Sequence, residues 1–527
     1  MEEGIHAMRI RHPHSRSHTR ALAALGVAAL VSTSSACDSE SSGAASSAGA
    51  TLALSIFGTP NSLAPTQLLE GQQTYVWDSI YDTLLIQDNK GELRPGAAKS
   101  WRYSGDARTL TLTLRTGMKF STGTPVDAAA VRTTLERIRT TPGPSQGVLA
   151  SVTSVEAPDT TTVVIKLKRP DGSLLTSLST AAGVIGDPKT MNSKSAALNP
   201  VGSGPYTLDK GATVNGSVYM LKRRDDYWNK KAYPFRTVKV RVISDQTAMA
   251  NALKAGETNA GTVDVAQVST FKSTGFETKH VQATAVATLV LGDRSGDVLK
   301  PLGDLRVRKA INMAFDRTKM VKRLLRGSGR PTEQIFNPQG PGHDPALEQT
   351  YAYDPAAAKR LLAEAGYPNG FSVTMPSLVV SKPFEPTFTQ ALADIGIKVT
   401  WQPVPAQQSV SALASKKYPM FLIVDGLNTT PIEARNFYSP TGYRNVFNST
   451  DPELTKLLDR ANRELDPAKA ADSYQAINKF GVENAWYGPV FYIGSDWATK
   501  KGITYLGDGS STMATIRQFG AADQARG

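Results

Sequence analysis

Only one long, uninterrupted apolar run occurs in this 527-residue chain, the eleven residues Ala21 to Val31. A bilayer-spanning helix needs about 20 such residues, so this run cannot serve as a permanent membrane anchor. It follows a basic stretch, Arg9 to Arg20, and precedes the small residues Ser34, Ser35 and Ala36. Charged, apolar and small segments in that order are the pattern of a secretory leader. The body beyond it carries no second run of comparable length and is expected to fold as a soluble globular protein outside the cytoplasm. About 475 residues follow the leader and its Ser/Gly/Ala-rich sequel, more than one hydrophobic core usually serves, so two or three lobes are expected.

The sole cysteine, Cys37, stands directly after the small residues and before Asp38 to Ala50, a soft polar tether. This arrangement resembles the lipobox of bacterial lipoproteins, in which the thiol receives diacylglycerol and becomes the new N-terminus. The resemblance implies a lipoprotein on the outer face of the cytoplasmic membrane. Lipoboxes usually carry Leu three residues before the cysteine, where this chain has Ser34. An ordinary secretory signal cut near Ala36, releasing a secreted protein, stands beside that reading. Glu2 and Glu3 are out of place in a basic leader, which leaves Met8 beside Met1 as the start.

The formal charge of +13 falls only to +11 when Met1 to Cys37 is removed, because four arginines leave with two glutamates. The positive residues are scattered, and no nucleic-acid-binding signature accompanies them. They suit an anionic cell surface or an acidic ligand. Four of the six histidines lie in the leader, leaving His280 and His343 in the body. No Cys/His zinc spacing, G-x-S-x-G elbow or P-loop is present. These absences argue against an enzyme, and neither a cofactor nor a metal is expected. His343, within Pro338-Gln-Gly-Pro-Gly-His-Asp-Pro345, reads as a turn residue.

The body opens with an alternating strand, Leu52 to Phe57, stopped by Gly58-Thr-Pro-Asn61, and a helical segment from Thr74 to Leu85. Its most informative stretch begins at Leu93-Arg-Pro-Gly-Ala-Ala-Lys-Ser-Trp101. The run Thr109-Leu-Thr-Leu-Thr-Leu-Arg115 follows, with threonines at the alternate positions of a half-solvated strand. Gly117, Gly123 and Pro125 predict tight turns, and Asp127 predicts the start of a helix over Val126 to Arg139.

In this order the features resemble the bacterial extracellular solute-binding proteins of family 5, the peptide, dipeptide and nickel-binding class that serves ABC importers. Residues 93 to 131 carry the first match. Val155-Glu-Ala-Pro-Asp159 and Val163 to Pro170 are similar to the family's paired strands, and Pro200-Val-Gly-Ser-Gly-Pro-Tyr206 to its Gly-Pro-Tyr signature. Arg224-Asp-Asp-Tyr-Trp228, Asp304 to Arg317 and Tyr353 to Tyr367 complete the series. Six motifs in one order carry the resemblance where one would not. Gly204-Pro205-Tyr206 and Tyr227-Trp228 are expected to set turns and packing. Arg306 and Arg308 are expected to anchor a helix start, with carboxylates such as Asp316 as partners.

The resemblance implies an α/β fold: a two-lobed periplasmic-binding-protein-like architecture with an extra subdomain inserted in the first lobe. Residues 1–36 are assigned to the signal peptide and 37–50 to the tether. Lobe I takes 51–80 and 206–288, the insert 81–205, lobe II 289–494, and residues 495–527 return to lobe I and form the tail. Crossings between lobes near Leu289–Asp293 and Ile493–Ser495 form the expected hinge. The implied function is capture of short peptides, or of a peptide-like and acidic small molecule, by a monomer that closes its lobes over the ligand and docks on the importer's membrane subunits. Use of the same scaffold for sensing, chaperoning or a biosynthetic step remains an alternative.

Peptide-binding members place an Asp, preceded by Trp, before an Asn-x-Pro-like turn in lobe II, where it pairs with the ligand's ammonium. Aligned on Pro431, that Asp is Leu427 here and the Trp is Val424; Asp425 could substitute if the loop shifts by two residues. The segments that the family places at the cleft nominate Gln72, Gln73 and Tyr75 in lobe I, and Asp293, Arg294, Asp425, Leu427, Asn428, Arg435 and Tyr438 around the hinge and lobe II. Arg294 and Arg435 are candidates to clamp a carboxylate. Trp401 reads as core or as a stacking platform. Free-amine peptides are therefore expected to bind more weakly than acidic or N-blocked analogues.

Overall fold

The computed structural model describes residues 51–511 and 513–521, the side chains of Pro467 and Ala468 excepted. The leader, Cys37 and the tether lie outside the described residues. Strand Thr51–Ile56 turns Leu52, Leu54 and Ile56 into a core. It pairs in parallel with Thr237–Val242, and that sheet continues antiparallel through Val218–Arg223 and Tyr206–Leu208. A second, fully antiparallel sheet orders Ala98–Tyr103, Thr109–Leu114, Thr162–Leu167 and Val152–Glu156. Its leucines at 110, 112 and 114 are buried while the intervening threonines are half-exposed. Helix Ala128–Thr140 covers the apolar face and is capped by Asp127, whose carboxylate accepts the Ala130 N–H at 2.8 Å.

The spine of the molecule is a pair of long antiparallel strands, Phe276–Leu291 and Gly488–Lys500, flanked by Ala260–Val263, Met420–Gly426 and Gly329–Pro331. Ala287, Leu289 and Leu291 enter one apolar cluster and Val290 another, so both faces are buried and the sequence there is almost continuously apolar. Val281, by contrast, belongs to the cluster built by Leu52, Trp77, Leu112 and Phe519. Two bodies of apolar packing are therefore joined through one strand pair. Pairing is interrupted between Val281 and Ala285 on one strand and between Ser495 and Ile493 on the other. A Cβ on the intervening Gly494 would meet the Val281 carbonyl oxygen at 2.8 Å. The interruption on the first strand thus precedes the stretch Leu289–Asp293, because Leu289 to Leu291 are paired and inaccessible to solvent.

The C-terminal stretch packs back on the N-terminal body: Ile503–Tyr505 pairs with Phe519–Ala521, and Ile503, Tyr505 and Phe519 join its core. Arg517 forms an ion pair with buried Asp78 at 3.0 Å, and Thr515 Oγ1 donates to the same carboxylate at 2.6 Å. The motifs that carry the resemblance have structural duties. A Cβ at Gly202 or Gly204 would collide with the backbone at Ile80, at 2.1 and 2.6 Å. The Tyr227 hydroxyl donates to Asp82 at 2.7 Å, and the Arg115 guanidinium lies 4.2 Å from the Trp228 ring centre. Arg306 pairs with Asp304, whereas Asp316 caps the next helix through Lys319 N–H, so the expected Asp316 pairing is replaced by a nearer carboxylate. Arg308 donates to the Leu302 and Gly303 carbonyls. Trp401 packs against the second core and its Nε1–H donates to Thr389, a structural position.

Candidate binding cavity

A cavity of about 650 Å³ opens beside the interrupted strands. One wall comes from the N-terminal body. There Gln72 Oε1 accepts the Phe57 N–H at 2.7 Å, fixing the entry to helix Thr74–Ile80, whose first turn presents Tyr75. Trp497 and Tyr505 stack with ring centres 4.2 Å apart and add an aromatic surface. The opposite wall comes from the chain after helix Arg317–Leu324, which presents Leu325, Arg326 and Ser328, and from Gly426 at the end of its strand. Thr284, Gly494 and Ser495 line the floor, so the strand interruption is itself part of the site. A pocket of this size, part polar and part aromatic, suits a small molecule enclosed on two sides.

Three lining residues carry charge: Asp264, Arg326 and Asp496. The Arg326 guanidinium lies 3.3 Å from Asp264, and both side chains are about half exposed at the rim. Asp496 is deeper, with its side chain 8% exposed. His280 Nδ1 stands 2.9 Å from one of its oxygens, and Ser328 Oγ donates to the other at 3.1 Å. Serine and histidine therefore meet the carboxylate separately, and this Ser328 contact gives its hydroxyl no imidazole base, the arrangement that serine nucleophiles require.

Of the residues nominated by sequence, Gln72 and Tyr75 line this cavity. Burial pushes the Tyr75 hydroxyl well above its usual range, so it is a neutral group there. Gln73 begins the same helix, with its side-chain oxygen buried. Asp293 is inaccessible to solvent and accepts the N–H groups of Asp297, Val298 and Leu299, which makes it a loop brace. Arg294 is also internal, donating to the Trp486 carbonyl at 2.9 and 2.7 Å with Trp486 and Tyr487 against its guanidinium. Asp425 is held by Arg444 through two hydrogen bonds, that from Nε at 2.6 Å. Leu427, 2% exposed, packs with Ala283, Val286 and Tyr492. Asn428 turns its amide onto the Gly426 carbonyl. Tyr438 stacks on Phe336 inside the third cluster. Arg435 donates to Ser177 Oγ at 2.9 Å, so it ties the second body to the region of the Leu174–Ser177 helix.

The arginine clamp expected from Arg294 and Arg435 is therefore not assembled at this cavity: each guanidinium is engaged elsewhere. Arg326, Asp264, Asp496 and His280 were not nominated. A signal for Asp496 does exist in the sequence, where Ser495-Asp496 interrupts the apolar strand Val490-Phe-Tyr-Ile493. Beneath the Gly426 to Asn428 loop, Glu433 accepts backbone N–H groups from Asn428 and Asn337, each at 2.9 Å. Burial pushes its carboxyl up to about 8.

Two bodies of apolar packing, a paired-strand junction and a cavity beside that junction define a two-lobed periplasmic binding protein. Solved structures show the same fold. The DppA binding protein of Helicobacter pylori in complex with the peptide STSA superposes with a TM-score of 0.78 at 22% identity, over 90% of this chain and 98% of that one. AgaA of A. tumefaciens R10 in complex with agropinic acid gives 0.77 at 25% identity, over 90% and 99%. The family model for bacterial extracellular solute-binding proteins, family 5 Middle, matches residues 92–449, and the chain belongs to that family. The glutathione-binding protein GsiB of Escherichia coli strain K12 is 29% identical over 424 residues, covering 76% of this chain and 80% of the relative. No helix among the described residues is long and apolar enough to cross a membrane.

Proposed function

We propose that this protein captures short peptides or peptide-like small molecules for an ABC importer, holding them in the cavity between its lobes. The observation that carries the reading is the cavity of about 650 Å³, walled by both lobes and floored by the strand interruption. Contacts made to both walls favour the closed form, because only they are lost on opening. Kinship with GsiB, whose name records glutathione as its ligand, and with a peptide-loaded DppA points to the same ligand class. The interrupted strands at Gln282–Thr284 and Gly494 serve as the hinge.

An acidic preference loses its original support, since Arg294 and Arg435 are engaged away from the cavity. Arg326 is the cation that lines the cavity, and it is already paired with Asp264 at 3.3 Å. Native mass spectrometry of gently purified protein, followed by calorimetry with glutathione and di- and tripeptides, tests the function. Dissociation constants near micromolar, about 8 kcal/mol of binding, are expected. Failure to retain any peptide or glutathione overturns the reading.

Lipid attachment at Cys37 tethers the protein to the outer face of the membrane in this reading. Membrane fractionation of wild type and Cys37→Ser checks it: the variant is released to the medium, and a wild type found wholly in the medium without lipid refutes the anchor.

A further inference from the structure

The rim pair Asp264–Arg326 neutralises two of the three charged residues that line the cavity. The third, Asp496, has only His280 and Ser328 as its hydrogen-bond partners among the described residues. Each contacts a different oxygen, and an ionised carboxylate offers about four acceptor sites, so both oxygens keep acceptor capacity in a residue that lines the cavity. Its side chain is 8% exposed, and a carboxylate so withdrawn from water gains from a cation placed against it. The surrounding floor supplies Thr284 and Ser495, neutral groups that leave this charge in place.

Resting on the reading that this cavity holds the solute, we propose that Asp496 is the specificity-determining residue that receives a cationic group of the ligand, a primary ammonium or guanidinium. The negative site lies on the strand shared by the two lobes, not on the loop that ends at Leu427. Of the carboxylates near that loop, Asp425 is held by Arg444 and Glu433 by the backbone N–H groups of Asn428 and Asn337. A bound cation would reach Asp496 beside Gly494, at the interrupted strand. Charge recognition and closure then act at one place.

The test offers the full-length protein an equimolar mixture of di- and tripeptides with free amines and the same peptides N-acetylated, and reads the retained species by native mass spectrometry. Wild type is expected to favour the free amines by about tenfold or more, the worth of one charge-assisted hydrogen bond. Asp496→Asn should lose that preference. His280→Lys places a permanent cation against an intact Asp496 from a side chain that is 44% exposed. It should lose the preference too, even if Asp496→Asn does not fold. Retention of acetylated and free peptides alike by wild type, or an unchanged preference in a folded variant, overturns the role of Asp496 and leaves the solute-binding function standing. Retention of no peptide overturns that function, and this inference with it.

Discussion

The Arg326 guanidinium reaches Asp264 at 3.3 Å across the rim of the cavity, from the chain that follows helix Arg317–Leu324 to the chain that follows strand Ala260–Val263. The helix packs on the second core, whereas Ala260 belongs to the first. This pair holds the two walls together. Both side chains are about half exposed, so its contribution is at most about 1 kcal/mol and is screened by salt. Arg326→Ala is expected to raise the open population up to fivefold at low ionic strength and to have less effect in high salt. Small-angle scattering of ligand-free protein at two salt concentrations measures this, and equal compactness of variant and wild type at low salt would refute it.

Replacing Leu427 with Asp, the change that sequence alignment suggests as a route to amine binding, is expected to destabilise the protein instead. Leu427 is packed among Ala283, Val286 and Tyr492 and is 2% exposed. A carboxylate there loses the apolar contacts and is buried without a designed partner, a cost of about 3 kcal/mol or more. Urea denaturation of Leu427→Asp should show that loss. Undiminished stability together with tighter binding of free amines would contradict the placement.

Glu433 predicts a particular pH dependence. Its carboxyl is raised by burial to about 8 from an ordinary value of 4.5. The folded state therefore binds its proton more tightly than the unfolded state, and the stability it confers is fully present below pH 4.5 and is lost as pH rises towards 8. The slope in that window is at most about 1.4 kcal/mol per pH unit. The stability difference between wild type and Glu433→Gln should thus shift against the wild type from pH 5 to pH 8. Parallel pH profiles in denaturant melts would show that Glu433 titrates normally.

The buried pair of Asp78 and Arg517 predicts strong coupling between the chain's far end and its first lobe. Asp78 is 2% exposed and also accepts from Thr515. Removing the guanidinium leaves a buried carboxylate, which typically costs about 3 to 5 kcal/mol. Arg517→Ala should lower stability by that amount. Limited proteolysis should then cut first within the Ile503 to Ala521 stretch. A variant as stable as wild type would mean that the return of the chain does not depend on this contact.

Much of the architecture was legible because local chemistry repeats. Threonine alternation marked Thr109–Leu114, Asp127 marked its helix start, and Gly204-Pro205-Tyr206 marked a packing position, where a Cβ on Gly204 would meet the Ile80 backbone. The site was legible only in part. Gln72 and Tyr75 could be nominated from their place in the family pattern and do line the cavity. Arg294 and Asp425 were nominated from the same pattern, and position in a segment does not reveal that Trp486 and Arg444 already engage them.

By itself, then, the sequence determined the strands, turns, helix starts and family of this protein, because periodicity and turn preference act over a few neighbouring residues. Tertiary structure alone decided which charges are free to meet a solute. Asp496 faces His280 across 216 residues of chain, Arg326 faces Asp264 across 62, and Arg435 reaches Ser177 across 258. Such pairings depend on how the sheets and lobes are assembled, and a charge becomes a ligand site only where that assembly brings it to a cavity without a full set of protein partners.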